Sequence, residues 1–302
     1  MTPPREPLAT FQVGNLEHSG ELGVVGEQQL TARFADHRGR IDLPALGVVF
    51  DHLGGIPYLL QQLPTGGLTL QSRLALSKLG HIDVGDRLSC TSTLAAHDDQ
   101  WGVTTVEVRT GTGRVCCVGT ARNTVVARAA ELPISVEDEA GGDIPDSAAA
   151  QGVVLPPALD SSLTGRDIVE HLSCGTLVPG PLVELLNGRV DIAGEGRDAV
   201  LRLTVRTESW MGNMFGTMHG GVIATIVGQA ASLAGQAHTA PGQDYSVADL
   251  AIGFYRSPSV HGGEIVAEAV PIKLGRRIGS FEVTLTDGDT LLTRGTADIH
   301  YG

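Results

Sequence analysis

The 302-residue chain has room for about two domains of ~150 residues, and with 42% hydrophobic and 18% charged residues a packed core is expected rather than disorder. A net charge of −13 argues against the basic face of a general nucleic-acid binder, although a few local arginines can still hold an anionic ligand. No run approaches ~18 uninterrupted apolar residues and Met1-Thr2-Pro3-Pro4-Arg5-Glu6 has no apolar leader core, so neither a membrane span nor a signal peptide is expected; Cys90, Cys116, Cys117 and Cys174 fit neither a zinc nor a disulfide spacing, which points to reduced thiols and a cytoplasmic setting.

The first expected element is a strand from Gln28 to Phe34, on the alternation of Leu30, Ala32 and Phe34. Leu43 to Leu63 reads as an apolar helix with Pro44 in its first turn, where the missing N–H is tolerated. After Gly66-Gly67, strands are expected over Leu68–Leu76, Asp86–Ala96, Val103–Thr110 and Arg114–Val126, with Thr112-Gly113 at the last hairpin. An acidic, small-residue stretch, residues 131–157, reads as a linker. Beyond it the order repeats: a strand over Ala199–Thr207, a loop with Met211-Gly212-Asn213, and an apolar, small-residue helix from His219 to His238 that Pro241-Gly242 breaks. Four strands follow, over Tyr245–Arg256, Glu264–Lys273, Ser280–Thr286 and Thr290–Tyr301, with Asp287-Gly288-Asp289 as the last turn.

Each half is therefore strand, loop, long apolar helix and four-strand antiparallel run. A helix that is apolar nearly all round must be buried. The economical arrangement is α+β: two antiparallel sheets, each wrapped around its helix and joined edge to edge so that edge strands are protected. The implied division is a domain over 1–130, the linker, and a second domain over 158–302.

In the second half, Asn213-Met214-Phe215-Gly216-Thr217-Met218-His219-Gly220-Gly221-Val222-Ile223-Ala224-Thr225 resembles the N-x-x-G-x-x-HGG-x-x-x-T motif of PaaI-type hotdog thioesterases. Ile252-Gly253-Phe254-Tyr255-Arg256-Ser257-Pro258 resembles that family's F-x-R-P strand, and Lys273-Leu274-Gly275-Arg276 its G-R hairpin. The resemblance spans roughly residues 198 to 302 and implies a double hotdog that hydrolyses acyl-CoA thioesters, with no metal or organic cofactor because coenzyme A is part of the substrate. It also implies a further pairing of double-hotdog chains into a homodimer.

The family carries an acidic residue seven positions after the second glycine of HGG, and here that position is Gly228. The first half shows the converse. Gly47-Val48-Val49-Phe50-Asp51 resembles the acid-bearing helix segment, and with Asp51 set against Gly228, His219, Gly220 and Gly221 fall on Asp42, Leu43 and Pro44. One half keeps the acid and the other keeps HGG.

Thioester hydrolysis needs a stabilised oxyanion and an attacking water or carboxylate. A glycine-rich helix start offers free backbone N–H groups and a partial positive charge. The resemblance implies a composite site in which Asp51 is base or nucleophile, Gly220 N–H polarises the carbonyl with Gly221 and Asn213 assisting, and His219 caps the helix rather than moving protons. Thr69 or Ser72 would orient water, and Arg276 would meet coenzyme phosphates. The pair Gly228 and Asp42 would form a dead cleft. The alternative is a non-catalytic acyl-CoA or lipid binder, in which Asp51 lies far from Gly220. A structural pseudoenzyme that oligomerises with an active paralogue is the third reading.

Overall fold

The computed structural model describes residues 6–128, 144, 152–213 and 215–302. The first half holds α1 (Pro7–Phe11), β1 (Val13–His18), β2 (Gly23–Gln29), a 3-10 turn over Leu43–Leu46 that runs into α2 (Gly47–Gln62), then β3 (Gly67–Lys78), β4 (Arg87–His97), β5 (Trp101–Arg109) and β6 (Val115–Arg128). The second holds α3 (Gly165–Ser173), α4 (Pro181–Leu185), β7 (Gly188–Ala193), β8 (Val200–Arg206), α5 (Gly220–Gln236), β9 (Tyr245–Phe254), β10 (Glu264–Leu274), β11 (Ile278–Asp287) and β12 (Thr290–Tyr301). Most of the expected linker lies outside the described residues; residues 153–157 have no regular structure.

The two expected sheets are halves of one antiparallel twelve-stranded sheet, in the order β1-β2-β4-β5-β6-β3-β9-β12-β11-β10-β8-β7. The seam is β3 against β9, paired from Arg73↔Gly253 to Ser77↔Asp249. Joining the halves there satisfies two central edges at once. The inner face of the sheet covers α2 and α5. In α5 every residue from Gly221 to Gln236 is buried, and in α2 the buried set includes Val48, Val49, Phe50, Leu53 and Ile56. A fully buried aliphatic side chain contributes about 1.5–3 kcal/mol, so these two helices anchor the core.

The expected strand from Gln28 to Phe34 is not formed. The strand is β2, which ends at Gln29, and Ala32–Phe34 is a 3-10 turn. The inward positions of β2 are Val24, Gly26 and Gln28, so apolar alternation does not mark it. Gln28 is buried because its amide donates to Phe11 O (3.2 Å) and Ala45 O (3.1 Å), satisfying a polar group that would otherwise be costly in the core. Leu30 and Phe34 are buried too, but outside a strand.

Small residues set the approach of the two helices. A Cβ on Gly47 would sit 2.7 Å from Gly221 O and 2.7 Å from Thr225 Oγ1, and one on Gly221 would collide with Val48 Cα. The start of α2 is therefore pressed against the start of α5.

Candidate active site

His219 is the N-cap of α5, with extended backbone, and its Nδ1 accepts from Gly221 N–H at 3.0 Å. Gly220 and Gly221 open the helix, where N–H groups have no intrahelical acceptor. Asp51 reaches this point from the second turn of α2. A Cβ on Gly220 would lie 2.5 Å from Asp51 Oδ1 and 2.9 Å from Oδ2, so only glycine leaves room for the carboxylate.

Two groups lie against Asp51. Gln71 Nε2 donates to its Oδ1 at 2.6 Å and His219 Nδ1 lies 3.1 Å from its Oδ2, with the Gly221 N–H that donates to His219 close by. The Asp51 and His219 side chains are only 11% and 13% exposed. Burial raises the Asp51 carboxyl to about 7, against the lowering pull of Gly221 N–H and the Gln71 amide. Burial also drives His219 down to about 4, so its imidazole is neutral at pH 7. Because Nδ1 accepts from Gly221 N–H, the proton of the neutral imidazole sits on Nε2, and only a protonated Asp51 can donate across the 3.1 Å contact.

Gln71 was not among the expected residues. Its Oε1 is buried without a hydrogen-bond partner and lies beside Gly54. Ser72, expected to orient water, faces away: its hydroxyl donates to Arg122 O at 3.0 Å. Thr69 is half-buried further back on β3.

Asn213 shapes the loop ahead of the helix. Its Oδ1 accepts from Phe215 N (2.9 Å), Thr217 N (3.2 Å) and Thr217 Oγ1 (3.3 Å), so its oxygen is spent on the turn. Arg276 is exposed on the β10–β11 hairpin. Arg277 O, next along, accepts from Tyr301 N, and Tyr301 Oη donates to Gly235 O in the last turn of α5. The hairpin is thus at the opposite end of α5 from Gly220, roughly 20 Å away at ~1.5 Å per residue. Arg276 does not share this site.

The pseudo-equivalent cleft is filled. Asp42 Oδ1 accepts from Leu43 N (2.9 Å) and Lys78 Nζ (2.7 Å), and its Oδ2 from Val247 N (3.0 Å) and Arg38 (3.4 Å). A Cβ on Gly228 would meet Leu250 Cδ2 at 3.1 Å and Pro44 Cγ at 3.2 Å. No acid occupies that helix position, and the carboxylate at the other helix start is consumed by buried cations.

Residues 215–293 match the model of the thioesterase superfamily, a span that includes the Gly220-Gly221 helix start. No curated protein matches the chain. Among solved structures, a conserved protein of unknown function with a hot dog fold from Alicyclobacillus acidocaldarius superposes with a TM-score of 0.59 at 12% identity, covering 97% of this chain and 96% of its own. A tesB protein of Mycobacterium avium subsp. paratuberculosis gives 0.58 at 11% identity, covering 98% and 97%. The acyl-CoA thioesterase II TesB2 of Mycobacterium marinum gives 0.55 at 11% identity, covering 98% and 97%. The fold is a double hotdog, alike from end to end to tandem proteins of nearly the same length.

Proposed function

We propose that the chain hydrolyses an acyl-CoA thioester at the cleft between Asp51 and Gly220, in the manner of the PaaI-type hotdog enzymes that its helix-start motif resembles. One observation carries the reading: the carboxylate supplied by one half lies against the glycine helix start supplied by the other. The binding-only alternative required these groups to be far apart.

In this reading the Gly220 N–H donates to the carbonyl oxygen as negative charge develops on it, where a fixed dipole is most effective. Water adds its oxygen to the carbonyl carbon and gives a proton to Asp51. The tetrahedral intermediate collapses, the C–S bond breaks, and the proton passes to the thiolate, releasing acid and thiol. Gln71 holds the carboxylate through its Nε2. A carboxyl tuned to about 7 is well matched to proton transfer near neutrality. The coenzyme enters as part of the substrate, the chain works in the cytoplasm, and two double-hotdog chains pair.

The test is release of free thiol from a panel of acyl-CoAs, short, long and aryl. Turnover of at least one class is expected. Absence of turnover across the panel, with coenzyme binding intact, would overturn the reading.

A further inference from the structure

Two rows of residues cross the seam on the outer face of the sheet, one at each end, and their charges are opposite. At the end that leads to Asp51, four residues lie side by side across four adjacent strands: Arg122 (β6) pairs with Arg73 (β3), Arg73 with Gly253 (β9), and Gly253 with Arg294 (β12). At the other end, which leads to Asp42, the row is Val118, Ser77, Asp249 and Asp298. The approximate two-fold of the seam, centred on Ala75↔Ala251, sets Arg73 against Asp249 and Arg122 against Asp298.

The arginine row borders a groove of about 340 Å³ whose lining includes Ala75, Thr120, Ala251 and Thr296 next to the arginines, and Tyr255. Gly253 lets the Arg73 guanidinium lie across the middle of the row: a Cβ there would lie 2.5 Å from Arg73 Nη1 and 3.3 Å from Tyr255 Oη. Arg294 is held by Glu282 at 3.0 Å, and Arg122 lies over the Trp101 ring, 4.6 Å from its centroid. Among the described residues Arg73 has no carboxylate partner. Like charges directly opposite on neighbouring strands destabilise a sheet, so Arg73 beside Arg122, on a chain of net charge −13, is a cost that an anionic ligand would remove.

The groove is linked to the acid by β3. A bulge between Gln71 and Arg73 turns Gln71 inward to Asp51 and leaves Arg73 facing out. Pairing of β3 with β9 stops at Arg73↔Gly253, so the seam ends between the arginine row and Gln71.

We infer that the row Arg122–Arg73–Arg294 binds the phosphates of a nucleotide carrying at least two of them, the handle of a thioester whose reactive end reaches Asp51; this rests on the function proposed above. Four residues at ~4.8 Å spacing span about 14 Å, which suits separated phosphate groups, and the guanidinium fork binds each in a bidentate way. Tyr255, 50% exposed in the groove lining, offers a face for a base. A small ligand fits better than an acidic carrier protein, because the net charge of the whole chain repels a large anion while a small one senses the local arginines.

The probe is adenosine 3′,5′-bisphosphate, with its affinity measured by calorimetry on the full chain. Wild type binds it, more weakly as salt rises. Arg73→Ala and Arg122→Ala each weaken binding about tenfold, and their ratio of kcat/KM for a coenzyme thioester over the matching N-acetylcysteamine thioester falls by a similar factor. Arg109→Ala, an equal charge change at an exposed Glu107 pair, keeps wild-type affinity, and melting curves show that all variants fold. Unchanged affinity in an Arg73→Ala/Arg122→Ala double variant, or no binding by wild type, overturns the proposal even if the N-acetylcysteamine thioester is hydrolysed. Binding through the arginines without hydrolysis of either thioester supports the groove and removes the hydrolase reading instead. An arginine-dependent complex with acidic acyl carrier protein, with no binding of the bisphosphate, assigns the row to a protein partner and overturns it.

Discussion

Asp51 is the residue on which chemistry and stability pull in opposite directions. Asp51→Asn preserves shape and removes the base, so kcat for the best acyl-CoA should fall roughly 10²–10⁴-fold, read by thiol release from protein whose fold is verified. In wild type, kcat should rise with pH through about 7, the value to which burial raises this carboxyl, and the rise should vanish in Asp51→Asn. The same shift has a stability consequence of known sign. The folded chain holds this proton up to about 7, whereas a carboxyl of ordinary value 3.8 loses it in the unfolded chain. Its contribution to stability is full below pH ~4 and is lost as pH rises through about 7. Asp51→Asn should therefore be more stable than wild type at pH 8, by on the order of a few kcal/mol, and melt higher, with the gain gone at pH 4. A gain that persists at pH 4 would mean that the Asp51 carboxyl is not raised. The sequence placed Asp51, His219 and the two glycines, because a helix start and a motif are local. It missed Gln71, because Leu68, Leu70, Leu74 and Leu76 keep one parity along β3 and put Gln71 on the opposite face. The bulge at Ser72 reverses that parity: Leu70 is 43% exposed while Leu74 and Leu76 are buried to 1%. An extra residue in a strand leaves no trace in alternation.

At the level of elements, the contact of two helix starts decides what the site tolerates. Gly220→Ala places a methyl 2.5 Å from Asp51 Oδ1, and a carboxylate can swing away from it. Gly221→Ala meets backbone, at Val48 Cα and Gly47 O, and the helices must separate. Gly220→Ala should lose at least ten-fold in kcat with little change in melting temperature, and Gly221→Ala should lose both, with overpacking costing about 1–3 kcal/mol. Equal melting losses in the two would show that helix packing does not distinguish the positions. The long helices and nine of the twelve strands were legible from periodicity and turns. Strands β1 and β7, at the two edges of the sheet, and β2 were not, because Gly14, Gly23, Gly26 and Gln28 interrupt apolar alternation and what closes the sheet there is tertiary pairing.

For the whole molecule, the two ends of the seam make different uses of one architecture. Asp51 meets a glycine helix start at one end. At the other, Asp42 is 4% exposed and neutralises Lys78, with Arg38 beside it, 12% and 8% exposed. Sequence alone suggested that Asp42 is idle, since Pro44 removes a donor from the equivalent helix start; the structure gives it a job in stability. Removing one partner from a buried ion cluster leaves charges uncompensated, at about 3–5 kcal/mol. Asp42→Asn should therefore lower the melting temperature strongly while the turnover of the folded fraction stays near wild type. Gly228→Asp, which returns an acid to the position the motif calls for, should create no second site and should not rescue Asp51→Asn, because its side chain enters against Pro44 and Leu250 where no glycine N–H waits. The measurement that joins these expectations is titration of each variant with a non-hydrolysable thioether analogue of an acyl-CoA. One equivalent per chain is expected for wild type, for folded Asp42→Asn and for Gly228→Asp. Two equivalents per chain in wild type, or a loss of turnover in Asp42→Asn equal to that in Asp51→Asn, would show that both ends of the seam work and that the halves have not divided the roles.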